Sequence, residues 1–176
     1  MTFEEAYNLY SKLVYNLALQ YVQNSEDAEE ITQDVYVAVY KSLPSFHQKA
    51  ELKTWIYRIA INKSLDFIKA KNRKKRFAII TSIFNESSCE IKNLTQEFNH
   101  PGMLMEQKEE LEILFNHINL LPSNQKTALI LSKIEQKTQQ EIAEIMRLSI
   151  KAVESLLQRA KTTLATKLKS NEGKKL

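Results

Sequence analysis

TQQEIAEIMRLSIKAVESLLQRAKTTLATKL, residues 138–168, decides the fold of this 176-residue chain. Thr138-Gln139-Gln140-Glu141 reads as a capping box, in which the Thr138 hydroxyl accepts from the Glu141 amide while the Glu141 carboxylate reaches back. Ile142 and Ile145 then face inward from a short helix. Leu148-Ser149 makes a tight connection, Ser149 caps the next helix, and Val153, Leu157, Ala160, Leu164 and Leu168 stripe that helix at helical spacing. A helix of about eight residues, a turn of about three and a longer helix make a helix-turn-helix. The turn lacks its usual glycine. Arg147 stands where a left-handed residue is expected, at a cost of roughly 1 kcal/mol.

Working outward, Leu111, Leu114, Ile118 and Leu121 predict a helix that Pro122 interrupts, with Ser123 capping its successor. Upstream, residues 77–106 lose helical periodicity, collect Ser, Asn and Thr, and contain His100-Pro101-Gly102, which reads as a linker. Its apolar stretch FAIITSIF, 77–84, is expected to dock on the first bundle or on a partner. Near the start, Phe3, Tyr7, Tyr10, Val14, Leu17 and Tyr21 form the stripe of helix one. Asn24 and Ser25 offer caps for helix two, whose stripe is Ala28, Ile31, Val35 and Val39 and which ends before Pro44. Phe46 to Lys49 read as a loop. Leu52, Trp55, Ile56, Ile59, Leu65 and Ile68 carry a third helix into a basic run. The chain holds two glycines and three prolines, too few for glycine-rich phosphate loops or tight hairpins. The fold class is therefore all-α: two small helical domains, 1–76 and 107–176, joined by a flexible linker.

Cys89 has no disulfide partner, and His47, His100 and His117 show no metal-ligand spacing. No metal, no cofactor and no catalytic constellation is expected, so the chain reads as a non-enzyme. No signal pattern or long apolar run is visible, which implies a cytoplasmic protein without membrane insertion.

Charge is unevenly placed. Residues 1–40 carry seven acids and one base, whereas 41–76 carry eleven bases and two acids. Residues 147–176 add eight bases against two acids. An acidic segment joined to a basic one suggests two partners of opposite charge, one of them nucleic acid. In a helix-turn-helix the start of the second helix enters the major groove, here presenting Ser149, Lys151, Ala152, Glu154, Ser155, Gln158, Arg159 and Lys161. Lys151 or Arg159 suits guanine, Gln158 adenine and Glu154 cytosine. A plain helical hairpin with a solvated face is the competing explanation.

SEDAEEITQDVYVAVYKSLPSF (25–46), followed by LKTWIYRIAINKSLDFIK (52–69) and a basic tail, resembles the second domain of bacterial sigma factors. LLPSNQKTALILSKIEQKTQQEIAEIMRLSIKAVESLLQRAKTTL (120–164) resembles their fourth domain. Two such blocks with a short linker are similar to the extracytoplasmic-function (ECF) type. The resemblance implies an initiation factor that binds core RNA polymerase (the β′ clamp helices and the β flap) and promoter DNA, and is restrained by an anti-sigma factor. It puts Asp27, Glu30, Gln33 and Asp34 at the clamp. The helix dipole accounts for Asp27 better than for Asp34, which lies beyond the first turn. It further implies that Phe46, His47, Gln48, Lys49, Lys53, Thr54, Arg58, Asn62 and Lys63 open and read the minus-ten element by stacking and polar edge contacts. Trp55 and Tyr57 could stack as well, although a Trp on an apolar stripe is more often core. Lys71, Arg73, Lys74, Lys75 and Arg76 would meet duplex phosphates, and the residues from Ser149 onward would read the minus-thirty-five element. Neutralising about six phosphates gives a log-log salt slope of roughly −5.

A coil of thirty residues averages about 30 Å and stretches to roughly 100 Å, whereas promoter elements two turns apart lie about 70 Å from one another. The linker must then be held extended by polymerase, and the free protein should bind promoter duplex poorly. A stand-alone helix-turn-helix regulator is the alternative, and a helical adaptor that sequesters other regulators a third.

Overall fold

The computed structural model describes residues 2–46, 51–84 and 105–172, with side chains at 2–46, 51–77 and 111–167. Among these residues there are seven α-helices, one 3-10 turn and no strand. His47, Gln48, Lys49, most of the 77–106 linker and the side chain of Leu168 lie outside the described residues. Contacts divide the chain into two units: Met1–Pro44 with Ile59–Asn99, and Ser45–Arg58 with His100–Leu176.

In the first unit α1 (Phe3–Val22) starts on a capping box at Thr2 and Glu5. The Glu5 carboxylate accepts from the Thr2 amide at 2.8 Å, and the Thr2 hydroxyl accepts from the Glu5 amide at 3.2 Å. The helix ends at Gln23 in the left-handed region, φ 50°, where the Gln23 amide donates to the Leu19 carbonyl at 2.8 Å. Asn24 then caps α2 (Ser25–Ser42) by accepting from the Asp27 amide at 2.8 Å. A 3-10 turn, Leu43–Ser45, follows at Pro44, which cannot continue a helical hydrogen-bond ladder. The two helices pack through Val14, Leu17, Ala18 and Tyr21 on α1 and Ala28, Ile31, Val35 and Val39 on α2, all essentially fully buried. Tyr7, assigned to the inward stripe by spacing, is instead 46% exposed. It lies two turns before Val14, where the run of buried residues on this helix begins.

Helix α3 (Leu52–Phe84) runs straight through the basic stretch and through 77–84, so the first eight residues of the expected linker are helical. Neither glycine nor proline occurs between 52 and 84, so nothing there stops the helix. Ile56, Tyr57, Ala60, Ile61 and Ser64 are buried, and the Ser64 hydroxyl donates back to the Ala60 carbonyl at 2.8 Å. Phe77 is 69% exposed.

In the second unit α7 (Ile150–Glu172) is the common packing partner of α4 (Met105–Asn119), α5 (Ser123–Lys133) and α6 (Gln139–Met146). Val153, Leu157 and Ala160 supply its buried face, and Leu164 is half-buried. The inward face of α4 is rotated from the expected stripe: Phe115, Ile118 and Leu121 are buried, whereas Leu114 is 48% exposed. Leu114 and Phe115 lie roughly 100° apart around the helix, and it is Phe115 that joins Ile118 in the core. Ser123 is not a cap either. It is the first helical residue of α5, Pro122 occupies the cap position, and no side-chain hydrogen bond is made there. Lys126 on α5 is buried, and its ammonium donates to Asn119 Oδ1 at 2.6 Å. Burial pulls this lysine down to about 8.

Ser45–Arg58 belongs to this unit, and side chains in the opening turns of α3 bond within it. The Tyr57 hydroxyl donates to Glu135 Oε2 at 2.7 Å, and the Lys137 ammonium sits 5.5 Å from the Tyr57 ring centroid. Burial and the neighbouring Glu135 carboxylate hold the Tyr57 phenol well above its ordinary value.

Candidate nucleic-acid and polymerase interfaces

The helix-turn-helix forms as its caps dictate. Glu141 Oε2 accepts from the Thr138 amide at 2.8 Å, and the Thr138 hydroxyl accepts from the Glu141 amide at 3.2 Å. Lys137 adds an ion pair to Glu141 at 3.0 Å. The Thr138 amide, then Lys137, hold the Glu141 carboxyl down at about 2. At the far end of α6, Arg147 takes φ 55°, ψ 46°, the left-handed conformation its position requires. Arg147 and Leu148 amides donate to the Glu144 and Ala143 carbonyls at 3.3 and 3.0 Å, which closes the helix end. Arg58 contributes too: its guanidinium donates to the Glu144 carbonyl at 2.6 Å and to the Ile145 carbonyl at 3.2 Å.

Ser149 caps α7, its hydroxyl accepting from the Ala152 amide at 3.2 Å. Because Val153, Leu157 and Ala160 are drawn into the core, Lys151, Glu154, Gln158, Arg159 and Lys161 all project into solvent, with Ala152 and Ser155 at the margins. About three turns of this helix thus offer amide, carboxylate and cationic groups together. That is the set needed to read base edges and hold phosphates.

The family models agree with this geometry. Residues 6–74 match sigma-70 region 2, and residues 111–164 match sigma-70 region 4. The chain belongs to the sigma-70 family, in its ECF class. The ECF RNA polymerase sigma-E factor of Escherichia coli (strain K12) is 29% identical over 169 residues, covering 94% of this chain and 87% of the relative. The sigma-E factor of Haemophilus influenzae is 28% identical, covering 94% and 88%. The fold is also that of CnrH, solved in complex with the cytosolic domain of CnrY, at TM-score 0.65 and 20% identity over 96% of this chain and 88% of that one. The sigma factor RpoE of Bartonella quintana, solved with the anti-sigma factor NepR, gives TM-score 0.64 and 22% identity over 95% and 96%.

On this sigma factor's α2, Glu30, Gln33 and Asp34 are exposed. Asp27 is not free in the same way: its carboxylate is ion-paired with Lys71 of α3, and its side chain is only 18% exposed. Lys71, expected at phosphate, is thereby partly occupied, and it also lies 5.8 Å from the Phe67 ring. Arg73, Lys74, Lys75 and Arg76 are all exposed. Among the residues expected at the minus-ten element, Lys53 and Asn62 are exposed, and Thr54 and Lys63 half-buried. Phe46 packs against Trp55 with ring centroids 4.8 Å apart, so Trp55 is neither simple core nor free. Arg58 is engaged by the α6 carbonyls, and burial together with Arg147 lowers its proton affinity.

Sequence reasoning did not gather one further feature. Phe3, Tyr7, Tyr36 and Tyr40 converge on a single recess in the first unit, beside Gln33. The i, i+3, i+4, i+7 spacing of Gln33, Tyr36, Val37 and Tyr40 was the available signal. Among the described residues, no cluster of three metal-binding side chains occurs and no helix is long and apolar enough to cross a membrane.

Proposed function

We propose that this sigma factor recruits core RNA polymerase through Glu30, Gln33 and Asp34, engaging the β′ clamp helices, while its second family block engages the β flap. Asp27, paired with Lys71, serves the fold of the first unit more than the contact. Residues 46–49 and the start of α3, through Lys53, Thr54, Asn62 and Lys63, capture unstacked minus-ten bases, and Arg58 joins them only by leaving the Glu144 and Ile145 carbonyls that hold it. Arg73, Lys74, Lys75 and Arg76, with Lys71, hold upstream phosphates. Helix α7 reads the minus-thirty-five element from Ser149 to Lys161. The factor performs no chemistry of its own and acts on cytoplasmic DNA. An anti-sigma factor restrains it, a reading supported by the likeness to CnrH and RpoE, both solved with partner proteins.

The observation that carries this reading is the presence of both family blocks, with exposed acids on α2 in the first and an exposed, mixed-polar α7 start in the second. Reconstituted transcription tests it. Adding the protein to core enzyme should produce new transcripts from its promoters, and Asp34→Arg should abolish them. Transcription unaffected by Asp34→Arg would remove α2 from the contact.

A further inference from the structure

Two adjacent residues of α3, Tyr57 and Arg58, hold α6 at its entry and at its exit. The Tyr57 side chain is 2% exposed, its hydroxyl donates to Glu135, and its ring lies beside the Lys137 ammonium. Lys137 in turn pairs with Glu141 in the opening turn of α6. The backbone fixes both partners in advance. Glu135 and Lys137 amides donate to the Ile130 and Leu131 carbonyls at 3.0 and 2.9 Å. Gln136 between them takes φ 51°, a left-handed region that a non-glycine residue keeps only when its surroundings hold it there.

At the other end, the Arg58 guanidinium donates to the Glu144 and Ile145 carbonyls in the last turn of α6, the negative end of the helix dipole. These contacts are not needed to terminate α6. Thr138 and Glu141 already close its start, and the Arg147 and Leu148 amides close its end. Arg58 uses its Nε and Nη2 donors for the purpose, the edge whose fork suits a phosphate or a base.

Distance makes this grip incompatible with promoter engagement. Ile145 stands five residues before Ile150, the first residue of α7, so Arg58 lies within about 25 Å of the start of that helix. Promoter elements two helical turns apart are separated by about 70 Å. The start of α3 therefore cannot stay bonded to α6 while it holds one element and α7 holds the other.

We propose that Tyr57 and Arg58 form an autoinhibitory catch, which holds the free factor closed on α6 and is released when core RNA polymerase draws the two DNA-reading helices apart. The proposal rests on the minus-ten reading of α3 and adds a regulatory step to it. Closing withdraws Arg58 from the minus-ten bases and lowers the apparent affinity for polymerase in proportion to the fraction of molecules that stand open. Tyr57 and Glu135 then set how readily the factor is used, without touching polymerase or DNA.

The test measures the affinity of the full-length protein for purified core RNA polymerase. Tyr57→Phe deletes the donor and Glu135→Ala the acceptor, and neither residue is among those proposed above to contact polymerase or DNA. Each variant should bind core about five- to tenfold tighter than wild type, as one hydrogen bond to a carboxylate is lost from the closed state. The double variant should gain no more than either single one, because both changes break the same bond. Far-UV circular dichroism should match wild type. A bond that merely supports the fold would lower the thermal midpoint without raising this affinity. Affinity unchanged or weakened in either single variant overturns the proposal, and so do gains that multiply in the double variant. At saturating factor, Glu135→Ala should yield wild-type transcript levels, and a deficit there would also overturn it. The minus-ten reading is checked separately by Asn62→Ala, which should impair promoter opening. Intact opening in that variant would sink the minus-ten reading, while the titration with core still reports on the catch.

Discussion

Replacing Lys126 by Met tests the energetics of the second unit most sharply. The side chain is 5% exposed, and in the fold its ammonium gives up a proton near pH 8 instead of its ordinary 10.5. At 1.36 kcal/mol per pH unit, keeping it charged at neutral pH costs on the order of 3 kcal/mol before its hydrogen bond to Asn119 is credited. The sign follows from proton counting. Between about pH 8 and 10.5 the unfolded chain binds the proton and the folded chain does not, so stability rises with pH across that window. Methionine matches the length and removes the charge, while leaving Asn119 Oδ1, which is only half-buried, to water. Lys126→Met should therefore stabilise the protein by about 1–3 kcal/mol at pH 7, with the advantage shrinking steadily from pH 8 to 10.5. Urea unfolding of both proteins at pH 7 and pH 10 reads this directly. A variant that is less stable than wild type by the same amount at both values would refute the reasoning.

Two further perturbations separate folding from docking. Arg147→Gly relieves a left-handed non-glycine residue at the end of α6 and should add about 0.5–1 kcal/mol to stability in the same urea assay, with helical content preserved. Asp27→Asn removes the ion pair to Lys71 from a half-buried position and should cost about 0.5–1.5 kcal/mol. Its affinity for core polymerase should remain within about twofold of wild type, in contrast to Asp34→Arg, when both are measured by the same pull-down titration.

Local chemistry was the part of this fold that sequence made readable. Thr138 and Glu141, Asn24 and Ser149 make the caps their types and spacings imply, and Arg147 adopts positive φ without glycine, because each depends on neighbours within four residues. Where the outcome depended on distant packing, spacing alone misplaced it. Leu114 and Phe115 are large apolar neighbours on α4, and tertiary packing, which spacing does not show, decides that Phe115 is the buried one. Helix α3 also continues through 77–84, where loss of periodicity had suggested its end, since the apolar FAIITSIF holds no glycine or proline to stop it. The Tyr57 and Arg58 hydrogen bonds join positions 78 or more residues apart, and no local pattern announces them. Of the candidate interfaces, periodicity made legible the exposure of Lys151, Glu154, Gln158, Arg159 and Lys161 on α7, with Ala152 and Ser155 half-buried. The aromatic recess was not legible, because Phe3 and Tyr7 come from one helix and Tyr36 and Tyr40 from another.

Dependence of promoter binding on polymerase is the most direct check of the whole account. Fluorescence anisotropy with a labelled promoter duplex at physiological salt should give the isolated protein only non-specific affinity, about 10⁻⁶ M or weaker. Together with core enzyme, it should give a complex at about 10⁻⁸ M or tighter. Sequence-specific binding by the protein alone at that second level, with nothing gained on adding core, would contradict it and favour a stand-alone helix-turn-helix regulator.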